Sequence, residues 1–192
     1  MIQKKRCEWC LGNDLYVDYH DKEWGVPVHD DAVHFEFLVL ESAQAGLSWL
    51  TILKRREHYR RLYDGFNAIK VAAYDEKRIE MMMQDPGIIR NRKKIESSIN
   101  NAKNFLDIVK EFGSFDNYIW GFTDAKVLSN QWESLSELPA NTELSDKISK
   151  DLKKRGFRFL GPTIMYAHLQ SIGIINDHVV DCFRYKEVGK MV

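Results

Sequence analysis

The sequence predicts an all-α fold. Apolar residues recur at three- and four-residue spacing through most long segments, and β-branched runs are short without sustained alternation. Cap and stop residues (Gly113, Gly156, Pro162) fall at the ends of the periodic stretches. Asp31 to Gln44 places Phe35, Leu38 and Val39 on one stripe behind an Asp pair suited to capping and to the helix dipole. Trp49 to Tyr63 reads as one helix with Ser48 as N-cap, alternating Ile52, Leu53 and Tyr59 with a basic face. Ile88 to Phe112 is a long amphipathic stretch through Ile95, Ile99, Ala102, Leu106 and Val109, closed by Gly113. Ser145 to Arg155 stops at Gly156, and Pro162 opens a last helix to Ile172 at a position where its missing N–H is harmless.

The chain has 192 residues and 22.5 kDa, which suits one domain over 1–192; repeats, low-complexity tracts and Pro/Gly-rich linkers are absent. Hydrophobic residues at 44% and charged residues at 29% exclude a disordered chain. No apolar run approaches the roughly 20 residues that span a bilayer, and Met1 to Arg6 has no apolar segment behind it. Three cysteines, an odd number, are too few for a disulfide framework and point to a reducing compartment, so a cytoplasmic protein is expected. Even charge and the lack of heptads suggest a monomer.

The 28 basic residues balance the 28 acidic ones, yet the charge is segregated. Nine acids and one base, Lys22, lie between Glu8 and Glu41, whereas Lys147 to Arg158 holds six bases and one acid, Asp151. Two more basic runs are Lys54–Arg56 with Arg60 and Arg61, and Arg90 with Arg92–Lys94. Any one run reads as a solvated helix face; three beside an acidic lobe suggest an anionic partner.

Soft metal ligands cluster at the two ends: Cys7, Cys10 and His20, then His178 and Cys182. If helical, His178 and Cys182 share a face, and with Cys7 and His20 they make a Cys₂His₂ set for a tetrahedral zinc. Four protein ligands leave no open position, so such an ion is structural and ties the termini together. The bland alternative is a buried cysteine or satisfied histidine at each place. Cys7-x-x-Cys10 lacks the strand-to-helix setting of a redox pair, and no His-Glu-x-x-His occurs.

Between Lys153 and Thr163 two helices join through a turn with glycines at both edges, Gly156 and Gly161. Glycines let the backbone approach an anion, and free N–H groups at a helix start hold phosphate oxygens without reading sequence. The plain reading is an ordinary αα-hairpin. A second region is Tyr16, Tyr19, Trp24, Glu41, Gln44 and Trp49. Trp24 reads as core, but Glu41 sits in an otherwise apolar helix where an unpaired charge is costly. Flanked by aromatic faces, it suits a flat cationic ligand, unless it merely pairs with an arginine.

Several separated stretches resemble the bacterial DNA-3-methyladenine glycosylase I family of the helix-hairpin-helix superfamily, from Arg6 to about Tyr185. They are Arg6-Cys7-x-Trp9, Tyr19–Pro27, Gln44–Trp49, Gly87–Arg90, Lys153–Gly161 and Asn176–Val180. The resemblance implies the superfamily's helical fold and a structural zinc on Cys7, His20, His178 and Cys182, with Cys10 outside it. It implies zinc-clipped terminal segments at 1–30 and 173–185 and a helix-hairpin-helix at about 145–172. It also implies alkylated double-stranded DNA as partner, hydrolytic excision without strand cleavage, and free 3-methyladenine as product. Base-binding positions fall on Tyr16, Tyr19, Glu41 and Trp49, with Gln44 near them. The hairpin, with Lys154, Gly156, Phe157, Gly161 and Thr163, falls where the superfamily holds the DNA backbone. Glu41 is expected to matter most, as base recognition first and as the candidate for chemistry second. Asp177, beside the ligand His178, could orient that ring; catalysis on the sugar is not assigned to it, and its role stays open. A non-enzymatic DNA-binding hairpin module is the rival reading, and it has no use for Glu41 among aromatic rings.

Overall fold

The computed structural model describes residues 4–191; residues 1–3 and 192 of the expected domain lie outside them. Among the described residues the helices are α1 (Asp14–Lys22), α2 (Asp31–Gln44), α3 (Trp49–Leu53), α4 (Arg56–Leu62), α5 (Ala68–Ala72), α6 (Glu76–Gln84), α7 (Arg92–Phe112), α8 (Phe115–Trp120), α9 (Glu143–Lys154), α10 (Pro162–Ser171) and α11 (Phe183–Val188). Single 3₁₀ turns join several of them, the first at Glu8–Cys10. Two-residue strands β1 (Leu128–Ser129) and β2 (Ile175–Asn176) pair in parallel, Leu128 opposite Ile175.

Helix α2 is the central element. Asp30 caps it, accepting from the N–H of Ala32 at 2.7 Å, and residues His34 to Ala43 are all buried. A helix buried on every side needs neighbours on every side; α3, α4, α7, α8 and α10 supply them. Asp31 caps a different helix, taking the N–H groups of Phe115 and Asp116 at 3.0 and 2.9 Å and so fixing α8 against α2. Helix α7 buries Ile95, Ile99, Ala102, Phe105 and Ile108 and ends at Gly113, whose φ of +86° a side chain would resist.

Three expected boundaries move. The single helix over Trp49–Tyr63 breaks at Lys54–Arg55: the N–H of Arg55 bonds Ile52 O at 2.8 Å, and the Arg55 guanidinium takes Thr51 O at 3.1 Å. The break re-aims α4 so that Arg56 and Arg60 reach Glu36 at 2.6 and 2.7 Å. Helix α7 starts at Arg92 rather than Ile88, because Asn91 caps it and Ile89 N–H is taken by the Tyr59 hydroxyl at 3.1 Å. Helix α9 starts earlier, at Glu143, through a capping box of Thr142 and Ser145.

The two ends meet. Phe183 N–H donates to Lys5 O at 3.0 Å, Lys5 pairs with Asp181, and Gly25 N–H reaches Gln170 O at 3.0 Å. Gly173 closes this seam: a Cβ there would stand 2.4 Å from the backbone of Val26 and Pro27. None of the described helices is long and apolar enough to cross a membrane.

Candidate active site and metal cluster

Cys7, His20, His178 and Cys182 come together as the sequence spacing suggested. Their ligand atoms lie within 4.8 Å of one another and all four residues are buried. Cys7 Sγ is 3.6 Å from His178 Nδ1, Cys182 Sγ is 3.6 Å from the same nitrogen, and Cys182 Sγ is 3.4 Å from His20 Nε2. Zinc bond lengths of about 2.0–2.3 Å give a tetrahedron with edges of roughly 3.4–3.8 Å, so the donor set fits the ion. Each histidine is held from behind: His20 Nδ1 by Asp21 at 2.8 Å, itself gripped by Arg6, and His178 Nε2 by Trp24 O at 3.0 Å. Hydrogen bonds from Cys7, His178 and His20 pull the Cys182 thiol down, while the bond to Cys182 and burial push Cys7 up.

Two expectations about this region change. His178 and Cys182 do not lie on a helix; a turn with Cys182 N–H on Val179 O at 2.8 Å brings them together. Asp177 does not orient His178. Its buried carboxylate is filled by Asn130 at 2.7 Å, Trp132 at 2.6 Å, Tyr166 at 2.5 Å and Gln170 at 2.7 Å, which lock β2 to α10. Cys10 stays outside the cluster; its thiol donates to Cys7 O at 3.0 Å, and burial pushes it up to about 11.

The second buried polar group is Glu41, 2% exposed near the end of α2. Oε2 lies 2.8 Å from His168 Nδ1, whereas Oε1 is buried without a partner. Burial pushes the carboxyl group up, and His168, with a smaller contribution from the Ser171 hydroxyl, opposes that shift. Glu41 borders a cavity of ≈ 210 Å³ with Tyr16, Tyr19, Gln44 and Trp49. A cavity of about 150 Å³ accommodates a benzene ring, so this one suits a bicyclic base. Tyr16 and Tyr19 come from α1, whose N-cap is Asn13; Trp49 opens α3 behind the Ser48 cap. Leu50 N–H donates to the Tyr16 hydroxyl at 2.9 Å, and the Tyr19 hydroxyl donates to Ser171 Oγ at 3.1 Å, so both rings are fixed. Tyr19 and Trp49 stand 5.7 Å apart, ring centre to ring centre. Trp49 Nε1 is buried with no partner, a second free polar atom beside the cavity.

Sequence reasoning missed Trp9, Trp24 and Ser171 as walls and His168 as the partner of Glu41. Trp9 has a signal, since it crosses Tyr16 edge-on at 5.5 Å and stands beside the ligand Cys7 in the first quoted motif. His168 has none, because a single histidine in an apolar helix looks like any satisfied core histidine.

The α9–α10 hairpin carries its own scaffold. Gly156 has φ +89°, Asn101 clamps Arg158 through its O and N–H at 2.9 and 2.8 Å, and Ser149 holds Leu160 O at 2.8 Å. At two of the expected backbone-contact positions the N–H groups are already used within the turn. The N–H groups of Gly156 and Phe157 are taken by Lys153 O and Leu152 O, each at 3.0 Å, and the Phe157 ring is buried. Gly161 and Thr163 fit better: both are exposed, and no side chain caps α10. Lys154 is exposed, and with Lys150, Lys153 and Arg158 it has no ion-pair partner among the described residues. The other basic runs are mostly spent internally. Arg56 and Arg60 pair with Glu36, Arg92 with Glu76, and Lys94 caps α2 through Ala43 O and Ala45 O at 2.8 and 2.7 Å.

This fold, with a carboxylate sunk among aromatic rings and a free basic hairpin beside it, falls within a known class. The methyladenine glycosylase family model matches residues 9–185, and the chain belongs to that family. It is 46% identical over 181 residues to DNA-3-methyladenine glycosylase 1 of Escherichia coli (strain K12), covering 94% of this chain and 97% of that protein. A crystal structure of a 3-methyladenine DNA glycosylase I superposes with TM-score 0.91 at 45% identity, covering 93% of this chain and 98% of the other. A Staphylococcus aureus 3-methyladenine DNA glycosylase I, solved to describe 3-methyladenine recognition, superposes with TM-score 0.90 at 37% identity, covering 93% and 95%.

Proposed function

We propose that this chain is a DNA-3-methyladenine glycosylase that hydrolyses the N-glycosidic bond of 3-methyladenine flipped out of alkylated duplex DNA. The single observation that carries the reading is Glu41: a buried carboxylate with one oxygen unpartnered, beside a base-sized cavity walled by Tyr16, Tyr19 and Trp49. Most buried polar atoms are paired, so a bare carboxylate oxygen on a residue that lines a cavity marks a place where a ligand's donor can bind. A ring carrying a positive charge and an amino group supplies both what the carboxylate lacks and what the aromatic faces attract.

The chemistry then asks little of the protein. An alkylated, cationic purine is a good leaving group, so the enzyme needs to extrude and hold it rather than protonate it. Tyr16, Tyr19 and Trp49 offer π faces to the ring, Gln44 lines the cavity beside them, and Glu41 accepts from the exocyclic amino group and favours the cation. Water adds to the sugar carbon and gives one proton to the solvent, while the bond to the cationic base breaks with its electron pair leaving on the base, so neutral free 3-methyladenine is released. No lysine stands in the cavity wall to form a Schiff base, which supports hydrolysis without a lyase step.

Residues 145–172 act in this reading as a helix-hairpin-helix. Lys154, Gly161 and Thr163 meet the DNA backbone, while Gly156 and Phe157 shape the turn from within. Cys7, His20, His178 and Cys182 hold a structural zinc that clips segments 1–30 and 173–185 onto one domain spanning 1–192. When bound, the ion cross-links the termini and takes no part in the reaction. The charge balance supports a monomer, and the three free thiols support a reducing, cytoplasmic setting.

Incubation with methylated duplex DNA tests the reading: release of free 3-methyladenine with the strands intact is expected. DNA binding without base release would leave only the hairpin module.

A further inference from the structure

We propose that His168 is the positioning residue of the base pocket: its Nδ1–H pins Oε2 of Glu41, favours the carboxylate form, and leaves Oε1 for the base. The inference deepens the glycosylase reading and rests on it for the identity of the ligand.

The geometry is direct. His168 is fully buried on α10, and its Nδ1 lies 2.8 Å from Glu41 Oε2 across the α2–α10 interface. An ionised carboxylate only accepts, so the proton of this bond belongs to Nδ1. With one oxygen held by a stiff ring on a packed helix, the remaining oxygen has one orientation open to it. A buried carboxylate without such a donor takes up a proton instead, because burial disfavours its charge.

Behind His168 the line continues. The His34 ring lies 6.4 Å away, centre to centre, and each ring has one buried nitrogen without a partner: Nε2 of His168 and Nδ1 of His34. His34 Nε2 is 3.2 Å from Asp116, which also meets the exposed His29 at 3.0 Å. The other charged and titratable groups about the pair are few. Tyr19 of α1 touches it through Ser171, Asp31 faces His34 from within α2, and Lys94 of α7 is engaged by backbone carbonyls of Ala43 and Ala45. His168 is therefore the cation-capable side chain in contact with Glu41 among the described residues.

The consequence is selectivity by charge. A fixed carboxylate favours a cationic alkylated base over neutral adenine; a protonated Glu41 loses that preference and offers a donor in its place.

The test begins on the wild-type protein without DNA. ¹⁵N spectra of the histidines are expected to show His168 Nδ1 carrying a proton, and infrared spectra to show no protonated carboxyl band assignable to Glu41 at pH 7. A bare Nδ1, or a Glu41 acid band in the wild type, overturns the proposal whatever the activity. In His168→Phe the acid band is expected to appear, and to vanish again in His168→Phe/Glu41→Gln. Excision at pH 6 is expected to fall about 10- to 100-fold, the scale of one lost hydrogen bond to a charged group, and the acid limb of the pH profile to move to higher pH. His168→Asn, which keeps a donor near the Nδ1 position, is expected to restore the limb toward the wild-type pH. A His168→Phe protein with the wild-type profile and no acid band overturns the proposal, as does a folded His168→Asn protein that behaves like the Phe variant. Failure of base release in the wild type, with the spectra as expected, refutes the glycosylase reading and leaves the Glu41–His168 pairing standing.

Discussion

Two buried polar clusters lie on either side of the Tyr19–Trp24 segment, and they differ in one respect. Around His20 and His178 every ring nitrogen has a protein partner, and the four ligand atoms converge on one point. Around Glu41 the partners run out: Oε1, Trp49 Nε1 and His168 Nε2 are buried and bare among the described residues. A closed set of donors holds the chain together, whereas an open set waits for something from outside. A bare buried atom costs free energy, and at a cavity wall a ligand can remove that cost.

That contrast can be broken most forcefully at the closed cluster. His178→Ala is expected to abolish stoichiometric zinc binding and to cost more than about 3 kcal/mol, since it strips one partner from a buried ionic set. Metal analysis and thermal melts check this; a variant that keeps its zinc or its melting temperature removes the structural assignment. At the open cluster the sign for stability reverses. Glu41→Gln is expected to lower single-turnover release of 3-methyladenine about 10²- to 10³-fold while leaving the melting temperature unchanged or higher, because a desolvated charge is gone. Wild-type release from this variant would empty the pocket of its role.

A smaller effect is expected at His34. Burial lowers this histidine to about 4 from an ordinary 6.5, so the fold favours its neutral form. Its contribution, up to about 3 kcal/mol, is complete above pH 6.5 and fades as the pH falls toward 4. Urea melts at pH 7 and pH 5 are expected to converge in His34→Leu relative to wild type; equal pH dependence in both would show that His34 is not the group. The mildest change is expected at the hairpin. Lys154→Gln is expected to reduce the salt dependence of DNA binding by about one counterion, equally on methylated and unmethylated duplexes, with the saturated excision rate unchanged. A loss confined to methylated DNA would move Lys154 from the backbone to the lesion.

Much of this was legible in the residues because the chemistry allows few alternatives. Four soft ligands at opposite ends of a chain with three cysteines leave little choice of metal set, and a glutamate in the run Leu38–Ala43 is conspicuous. The capping pattern at Asp30 and Gly113 likewise survives folding. What was not legible depends on partners from distant positions. The sequence around Arg56 and Arg92 reads as anion-binding, and only the fold shows those guanidiniums spent on Glu36 and Glu76. Phe157 resembles a surface aromatic until Leu152 O claims its N–H and the ring turns inward. Asp177 sits beside His178 in sequence but turns to four other donors. Short helices such as α5 and α8 carry too few turns for periodicity to register, and their positions are set by outside caps such as Asp31.

Trp24 belongs to both clusters at once. Its carbonyl steadies His178, and its indole stands in the cavity wall beside Trp9, 5.0 Å away. The knot at the chain ends and the room for the base therefore share a beam. If the cluster holds its zinc, slackening the knot with a chelator, well short of unfolding, is expected to be felt first as a draught in that room, read as a shift in indole fluorescence and a weaker affinity for free 3-methyladenine with the far-ultraviolet helix signal unchanged.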